Sequence, residues 1–182
     1  NQGSINFNGV DHIVFAGMGG SGAIGDMFAA ILSKKKIHVN VVKGYLLPQT
    51  VDSDTLVVTV SVSGNTAETL SVLESAHKLG CKIIAFSSGG KMQEYCTKNK
   101  IEHRVIPLVH SPRASFTSFL YTILKVLNST LEIKESDILE SIIELENTGK
   151  KNNSSNLSKE NLAISLAEWI DGIPMIYYPF GL

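Results

Sequence analysis

Five short runs along the chain are rich in apolar or β-branched residues: His12–Gly17 (HIVFAG), Ile37–Val42 (IHVNVV), Thr55–Ser61 (TLVVTVS), Lys82–Ser87 (KIIAFS) and His103–Leu108 (HRVIPL). Between them, helical patterning covers Ala23–Leu32, Thr66–Leu79 and Lys91–Asn99. Gly80 follows the second of these and supplies a stop where a positive φ costs little. Strands that alternate with helices imply right-handed βαβ crossovers and a parallel sheet covered on both faces. The stretch Val42–Asp54 carries no convincing helical pattern, so one crossover is expected to be mostly loop. The expected architecture is α/β: a flavodoxin-like, three-layer αβα domain with a five-stranded parallel sheet in the order 2-1-3-4-5.

Three more helices are expected over Arg113–Leu127, Ser136–Asn147 and Ser158–Ile170, with Ser158 or Asn156 capping the last. The apolar face Leu70, Leu73, Ala76 and Leu79 is expected in the core. Lys150–Lys159 (KKNNSSNLSK) is the one biased stretch and predicts an exposed linker. Residues 1–150 are therefore expected to form one domain. Beyond the linker, the strand-like run Ile173–Tyr178 follows a helix and precedes Pro179 and Gly181. That run and the missing initiator Met suggest a truncated chain, the alternative being a last strand added to the domain's own sheet.

Composition narrows the function classes. The 182 residues are 43% hydrophobic and 18% charged, with a net charge of −1. A near-neutral balance argues against nucleic-acid and membrane-surface partners, which favour a basic face. No apolar run approaches the roughly 18 residues that span a bilayer, and Asn1–Val10 is polar rather than signal-like. Cys81 and Cys96 make no metal-ligand pattern; two cysteines suit a reducing, cytoplasmic setting, with one disulfide left open.

In a doubly wound sheet, ligands bind beyond the carboxyl ends of the strands where strand order reverses. For the order 2-1-3-4-5, the loops after strands one and three meet there. Those loops are Gly17-Met18-Gly19-Gly20-Ser21-Gly22 and Ser61-Val62-Ser63-Gly64-Asn65-Thr66. The second reads as a phosphate cradle. Ser61, Ser63 and Thr66 offer three hydroxyls, Gly64 permits close backbone approach, and the following helix aims unpaired amides at the same point. Asn65 with Glu68 resembles a capping box. A ligand-free polar turn would have a similar composition, and its position beside the first loop favours the cradle.

The first loop matches G-x-G-x-x-G, but no acidic residue follows the second strand to hold a ribose; Val42-Lys43-Gly44-Tyr45 stands there. No Gly-Lys-Ser/Thr triphosphate motif occurs. The glycines suggest close packing of backbone against a compact ligand.

GMGGSGAIGD (17–26), SVSGNTAETL (61–70) and SPRAS (111–115) resemble, in order and spacing, the archaeal-type bifunctional phosphoglucose/phosphomannose isomerases, which are built from SIS (sugar isomerase) domains. The resemblance covers nearly the whole chain and only the family's N-terminal half. Residues 1–150 would then be an SIS domain, and 151–182 a linker, a helix and the first strand of a truncated second SIS domain. The resemblance implies aldose–ketose isomerisation of glucose 6-phosphate or mannose 6-phosphate to fructose 6-phosphate through an enediolate, without metal or other cofactor. It implies that Ser61, Ser63 and Thr66 grip the phosphate with Gly64 and Asn65 in the same loop. Gly19, Gly20 and Ser21 would line the sugar, and Arg113 would stabilise enediolate charge. A phosphorylated hexose is the implied partner, and pairing into a homodimer is expected from the same resemblance.

Arg113 is one of two arginines among 16 basic residues, and a guanidinium is permanently charged and reaches two oxygens at once. The family's catalytic glutamate and ring-opening histidine belong to its second half, and no stand-in is evident here. His12, His38 and His103 are placed at the amino ends of strands, away from the crevice; His77 is placed on a helix surface, and His110 in a loop near the site. Two other readings remain: a single-SIS enzyme resembling 6-phospho-3-hexuloisomerase, and a non-catalytic sugar-phosphate sensor.

Overall fold

The computed structural model describes residues 3–174. The chain divides into two compact units, residues 1–133 and 134–182.

The first unit runs β1 (His12–Ala16), α1 (Gly19–Leu32), β2 (His38–Val42), β3 (Leu56–Ser61), α2 (Ala67–Lys78), β4 (Lys82–Ser87), α3 (Gly90–Asn99), β5 (Glu102–Val105) and α4 (Phe116–Leu131). The sheet is parallel throughout, in the order β2-β1-β3-β4-β5. Val14 lies between Asn40 and Val57, and Val58 pairs with Ile84, so β1, β3 and β4 are central. The two-residue period of a strand then sorts the core into layers. Val14, Ala16, Val57, Ile83 and Ala85 pack with Val72, Leu73 and Ala76 of α2 and Met92 and Cys96 of α3. Phe15, on the other face, stacks on Phe28 of α1 with ring centroids 4.7 Å apart. α1 in turn contacts α4, which completes the third layer.

The connection from β2 to β3 contains no helix, as its sequence predicts. Gly80 ends α2 at φ 73, where its N–H donates to His77 O and the Cys81 N–H to Ala76 O. These two bonds satisfy carbonyls that the last turn leaves open. The buried face of α2 is Thr69, Val72, Leu73 and Ala76, while Leu79 is 53% exposed. Leu73 and Ala76 are in the core as expected and Leu70 packs against it, whereas Leu79 departs because it sits at the helix end beside Gly80. Both cysteines are free thiols.

In the second unit, α5 spans Glu135–Asn152 and α6 spans Leu162–Trp169. The division at 133/134 places α5 with α6, whereas the sequence reading drew the boundary after residue 150. The polar stretch between them is exposed, as expected, and is folded into a stitched turn. Asn153 Oδ1 accepts from the N–H groups of Ser155 (2.8 Å) and Asn156 (3.2 Å), and Asn161 Nδ2 donates to Asn153 O (3.2 Å) and Asn156 O (2.8 Å).

The cap of α6 is Asn161, not Ser158 or Asn156. Its side-chain oxygen accepts from the N–H groups of Ala163 and Ile164, at 3.0 and 3.4 Å. Asn161→Ala removes this cap and both turn bonds, and is expected to destabilise α6 by about 1–2 kcal/mol. Amide exchange at Ala163 and Ile164 is the direct measurement; unchanged protection would mean the cap contributes nothing. The strand expected over Ile173–Tyr178 lies, from Met175 onward, outside the described residues.

Candidate functional site

The strand order brings the ends of β1 and β3 side by side, and the two polar loops leave the sheet there. Met18, Gly20, Ser21, Val62, Ser63, Thr66, Pro112, Arg113 and Phe116 line a cleft of about 370 Å³. Gly20, Ser21, Ser63, Thr66 and Arg113 were all singled out by sequence, on three segments up to 93 residues apart (from Gly20 to Arg113), and the fold gathers them.

The first loop is shorter than expected because α1 begins inside it, at Gly19, with Met18 as N-cap. No side chain caps this end, and Gly20 and Ser21 of its first turn line the cleft, where the positive end of the helix dipole lies. The glycines divide by role. Methyl groups built on Gly19 and Gly20 would meet nothing within 4 Å, so both present bare backbone to open space. Gly17, Gly22 and Gly25 instead pack against protein. A methyl on Gly17 would come within 2.9 Å of Val60 O, and one on Gly25 within 2.8 Å of Val41 Cγ1. Close packing of glycine against a ligand is therefore open only to the first two.

The second loop is more tightly determined. Ser61 is 1% exposed; its hydroxyl lies 2.8 Å from Thr66 Oγ1 and accepts from the Gly64 N–H at 3.1 Å. Ser61 thus stands behind Thr66 rather than on the cleft wall. Ser63 is exposed, and its hydroxyl accepts from the Asn65 N–H at 3.2 Å. The expected Asn65–Glu68 capping box does not form. Thr66 is the N-cap of α2, without a side-chain bond to the first turn. Asn65 Nδ2 instead donates to Ser63 O (3.2 Å), and its Oδ1 accepts from the Lys91 N–H (3.0 Å). Its amide is engaged with the loop itself and with the first turn of α3. The first-turn amides of α2 are left without a side-chain cap, as at α1.

Arg113 projects from a turn held by one buried residue. Ser115 Oγ donates to Ser111 O at 2.9 Å and accepts from the Val109 N–H at 3.0 Å, at 0% exposure. α4 starts at Phe116 rather than Arg113, which leaves the guanidinium on an exposed turn at the cleft. Met18, Val62 and Phe116 form an apolar wall that the sequence did not announce. Each is adjacent to, or three positions after, a residue that was singled out, and nothing in its type marks it.

Lys43 Nζ lies 2.6 Å from Asp26 Oδ2, and the lysine stem covers Gly22. The histidines distribute largely as expected. His12 is at the amino end of the sheet, bonded to Thr55 Oγ1 (3.1 Å) and Asn40 Oδ1 (2.9 Å), and His77 meets Tyr95 Oη on the surface (3.1 Å). His110 takes a left-handed φ of 54 and is not among the lining residues. His103 differs. β5 is short, and the imidazole Nε2 reaches Ser87 Oγ (2.8 Å) at the carboxyl end of β4, next to the second loop. Burial pushes its pKa down, so it is neutral at neutral pH. No carboxylate or imidazole lines the cleft among the described residues. Among the described residues, no helix is long and apolar enough to cross a membrane.

The SIS domain model matches residues 7–130. The chain is 36% identical to a bifunctional phosphoglucose/phosphomannose isomerase of Caldicellulosiruptor bescii, over 92% of this chain and 51% of that protein. It is 35% identical to one of Thermoplasma acidophilum, over 97% of this chain and 52% of that protein. The chain spans about half the length of these relatives. Among solved structures, a glucosamine-6-phosphate deaminase from Thermotoga maritima superposes with a TM-score of 0.63 at 17% identity, over 79% of this chain and 47% of that one.

Proposed function

The chain belongs to the SIS domain family, and on that premise we propose that it is the sugar-phosphate-binding half of an aldose–ketose isomerase acting on glucose 6-phosphate or mannose 6-phosphate. The observation that carries the reading is the convergence of two uncapped helix N-termini, three hydroxyls and one guanidinium on a single cleft. Such an arrangement suits a dianion joined to a neutral polyol. Backbone amides at a helix start and charge-assisted hydrogen bonds both favour phosphate.

In this reading Ser63 Oγ, Thr66 Oγ1 and the amides opening α2 hold the phosphate, with Ser61 fixing Thr66 from behind. The sugar lies along Gly19, Gly20 and Ser21, where bare backbone lets it approach. Isomerisation moves a proton between C2 and C1 through an enediolate, whose negative charge sits on the oxygens of those carbons. Arg113, across the cleft from the phosphate loop, supplies a fixed positive charge for that intermediate. The proton itself needs a base within about 2.6–3.2 Å of the carbon-bound hydrogen. Among the described residues, no lining carboxylate or imidazole offers one, so the base is assigned to a segment outside this cleft.

Phosphate grip is the testable core of the proposal. A hydrogen bond to a charged group contributes roughly 1.5–3 kcal/mol net, so Ser63→Ala is expected to weaken glucose 6-phosphate binding by about 10- to 150-fold. Titration calorimetry on both proteins reads this directly. Equal affinities would remove Ser63 from the site, and no binding by the unsubstituted chain would end the sugar-phosphate reading.

A further inference from the structure

Four consecutive carbonyls of the Ser61–Thr66 loop are each engaged by a donor. A carbonyl oxygen facing a phosphate would repel it, so an amide cradle works only if its C=O groups are held elsewhere. Here each of the four carbonyls from Ser61 to Gly64 accepts a donor. Ser61 O takes the Gly64 N–H (3.1 Å), and Val62 O takes both the N–H and the hydroxyl of Ser88 (3.0 and 2.6 Å). Ser63 O takes Asn65 Nδ2 (3.2 Å), and Gly64 O takes the Met92 N–H (2.9 Å). Val62 O is thus held by Ser88 of the turn between β4 and α3 and Gly64 O by Met92 in the first turn of α3, and Asn65, which holds Ser63 O, is itself fixed by Lys91 of that first turn.

The fit between the two loops is backbone against backbone. A methyl on Gly64 would sit 1.8 Å from Gly89 O, and one on Gly90 would sit 2.6 Å from Ser63 O. The position of Gly89 O is set by Ser87, whose hydroxyl donates to it at 2.8 Å and accepts from the Gly89 N–H at 3.2 Å. A serine has one hydroxyl proton. With that proton on Gly89 O, the 2.8 Å contact with His103 has the imidazole Nε2–H as donor.

We propose that His103 is a positioning residue for anion binding. It holds Ser87 from Nε2–H, Ser87 holds Gly89 O, and Gly89 O presses the Gly64 backbone into the conformation that presents amides to the phosphate. The proposal rests on reading the Ser61–Thr66 loop as the anion grip, and deepens that reading. His103 is 16 residues from Ser87 in sequence and touches no residue of the cleft wall in the hydrogen bonds described.

The test uses two readouts on the same variants. In the unliganded chain, amide exchange at Gly89 and Met92 reports whether the relay holds the two loops together. With inorganic phosphate and glucose 6-phosphate as probes, calorimetry reports the consequence. One neutral hydrogen bond corresponds to about a 2- to 12-fold change in an equilibrium constant. His103→Ala is expected to speed exchange and weaken phosphate binding by factors in that range. His103→Gln, whose Nε2 can replace the imidazole donor, is expected to restore both. Ser87→Ala removes the relay with the imidazole in place and is expected to match His103→Ala, which keeps the comparison available if His103→Ala does not fold. A lower Tm with unchanged phosphate affinity, or exchange at Gly89 and Met92 equal to that of the unsubstituted chain, overturns the proposal. Accelerated exchange in a chain that binds no glucose 6-phosphate would instead sink the function reading and leave the relay standing.

Discussion

Interconversion of glucose 6-phosphate and fructose 6-phosphate by the 182-residue chain is expected to be about 10²–10⁴-fold slower than by a full-length relative such as the Caldicellulosiruptor bescii protein. The reason is the make-up of the cleft. Among the described residues it offers hydroxyls, backbone amides and Arg113, and no lining carboxylate or imidazole to accept a proton from carbon. Phosphate contacts are made equally in substrate and transition state, so they set affinity and position without lowering the chemical barrier. The missing term is the positioned base, and general base catalysis contributes by about the factor given above. A coupled assay run at saturating fructose 6-phosphate separates the two effects. Binding without turnover is the expected outcome. Turnover within tenfold of the relative would mean that a base reaches the cleft from this chain, with His110 and Glu68 the first positions to substitute.

Gly64→Ala is expected to weaken phosphate binding by about 30-fold or more. Two penalties combine at this position. An L-residue at φ 68 costs roughly 1–2 kcal/mol. The added methyl would also lie 1.8 Å from Gly89 O, and since that neighbour is backbone, a peptide unit must move to admit it. Overpacking of this kind costs about 1–3 kcal/mol. Even about 2 kcal/mol expressed in the loop corresponds to roughly 30-fold in affinity. Gly19→Ala separates the two penalties, because Gly19 has φ 54 with nothing within 4 Å. It should show the conformational cost alone, about 1–2 kcal/mol in urea unfolding. If Gly64→Ala were no worse than Gly19→Ala in urea unfolding, the contact between the two loops would have no energetic weight.

Much of the fold was legible before any coordinates. The five strands were visible because buried parallel strands are short, nearly continuous apolar runs, and that property is local. Their positions agree with the structure to within a residue or two at β1 to β4, while β5 ends at Val105 rather than Leu108. The order 2-1-3-4-5 followed from the alternation of strands and helices, and the structure has it. Helix starts were less legible. α1 begins four residues early, in a glycine-rich stretch of poor propensity, because its first turn contributes few side chains to any period. The cap of α6 was misassigned because Asn156, Ser158 and Asn161 are chemically equivalent candidates, and only the turn geometry distinguishes them.

The residues of the cleft separate in the same way. That Ser63, Thr66, Gly20, Ser21 and Arg113 belong together was expected from residue type, loop position and the family resemblance, and the structure brings all five to one cleft. What each polar group bonds to could not be read. Asn65 could cap a helix, bind a ligand or brace a turn with the same two polar atoms, and the approach of Lys91 selects the last. His103 was assigned to the far end of the sheet by its place in a strand-like run; the shortness of β5 and the position of Ser87 bring it to the phosphate loop. The apolar wall of Met18, Val62 and Phe116 was silent because an apolar residue next to a cleft has the same composition as one next to a core.

The sequence by itself determined the strands, the helical layers, the crossing point and the kinds of atom delivered there. These follow from burial and periodicity, which act between near neighbours. Tertiary structure alone decided which hydrogen-bond partners those atoms keep, how closely Gly64 and Gly89 approach, and which donors engage the carbonyls of the phosphate loop. Those outcomes depend on distances of a few tenths of an ångström between segments more than 20 residues apart, as from Gly64 to Gly89, and a hydrogen bond or a steric overlap changes sign over that range.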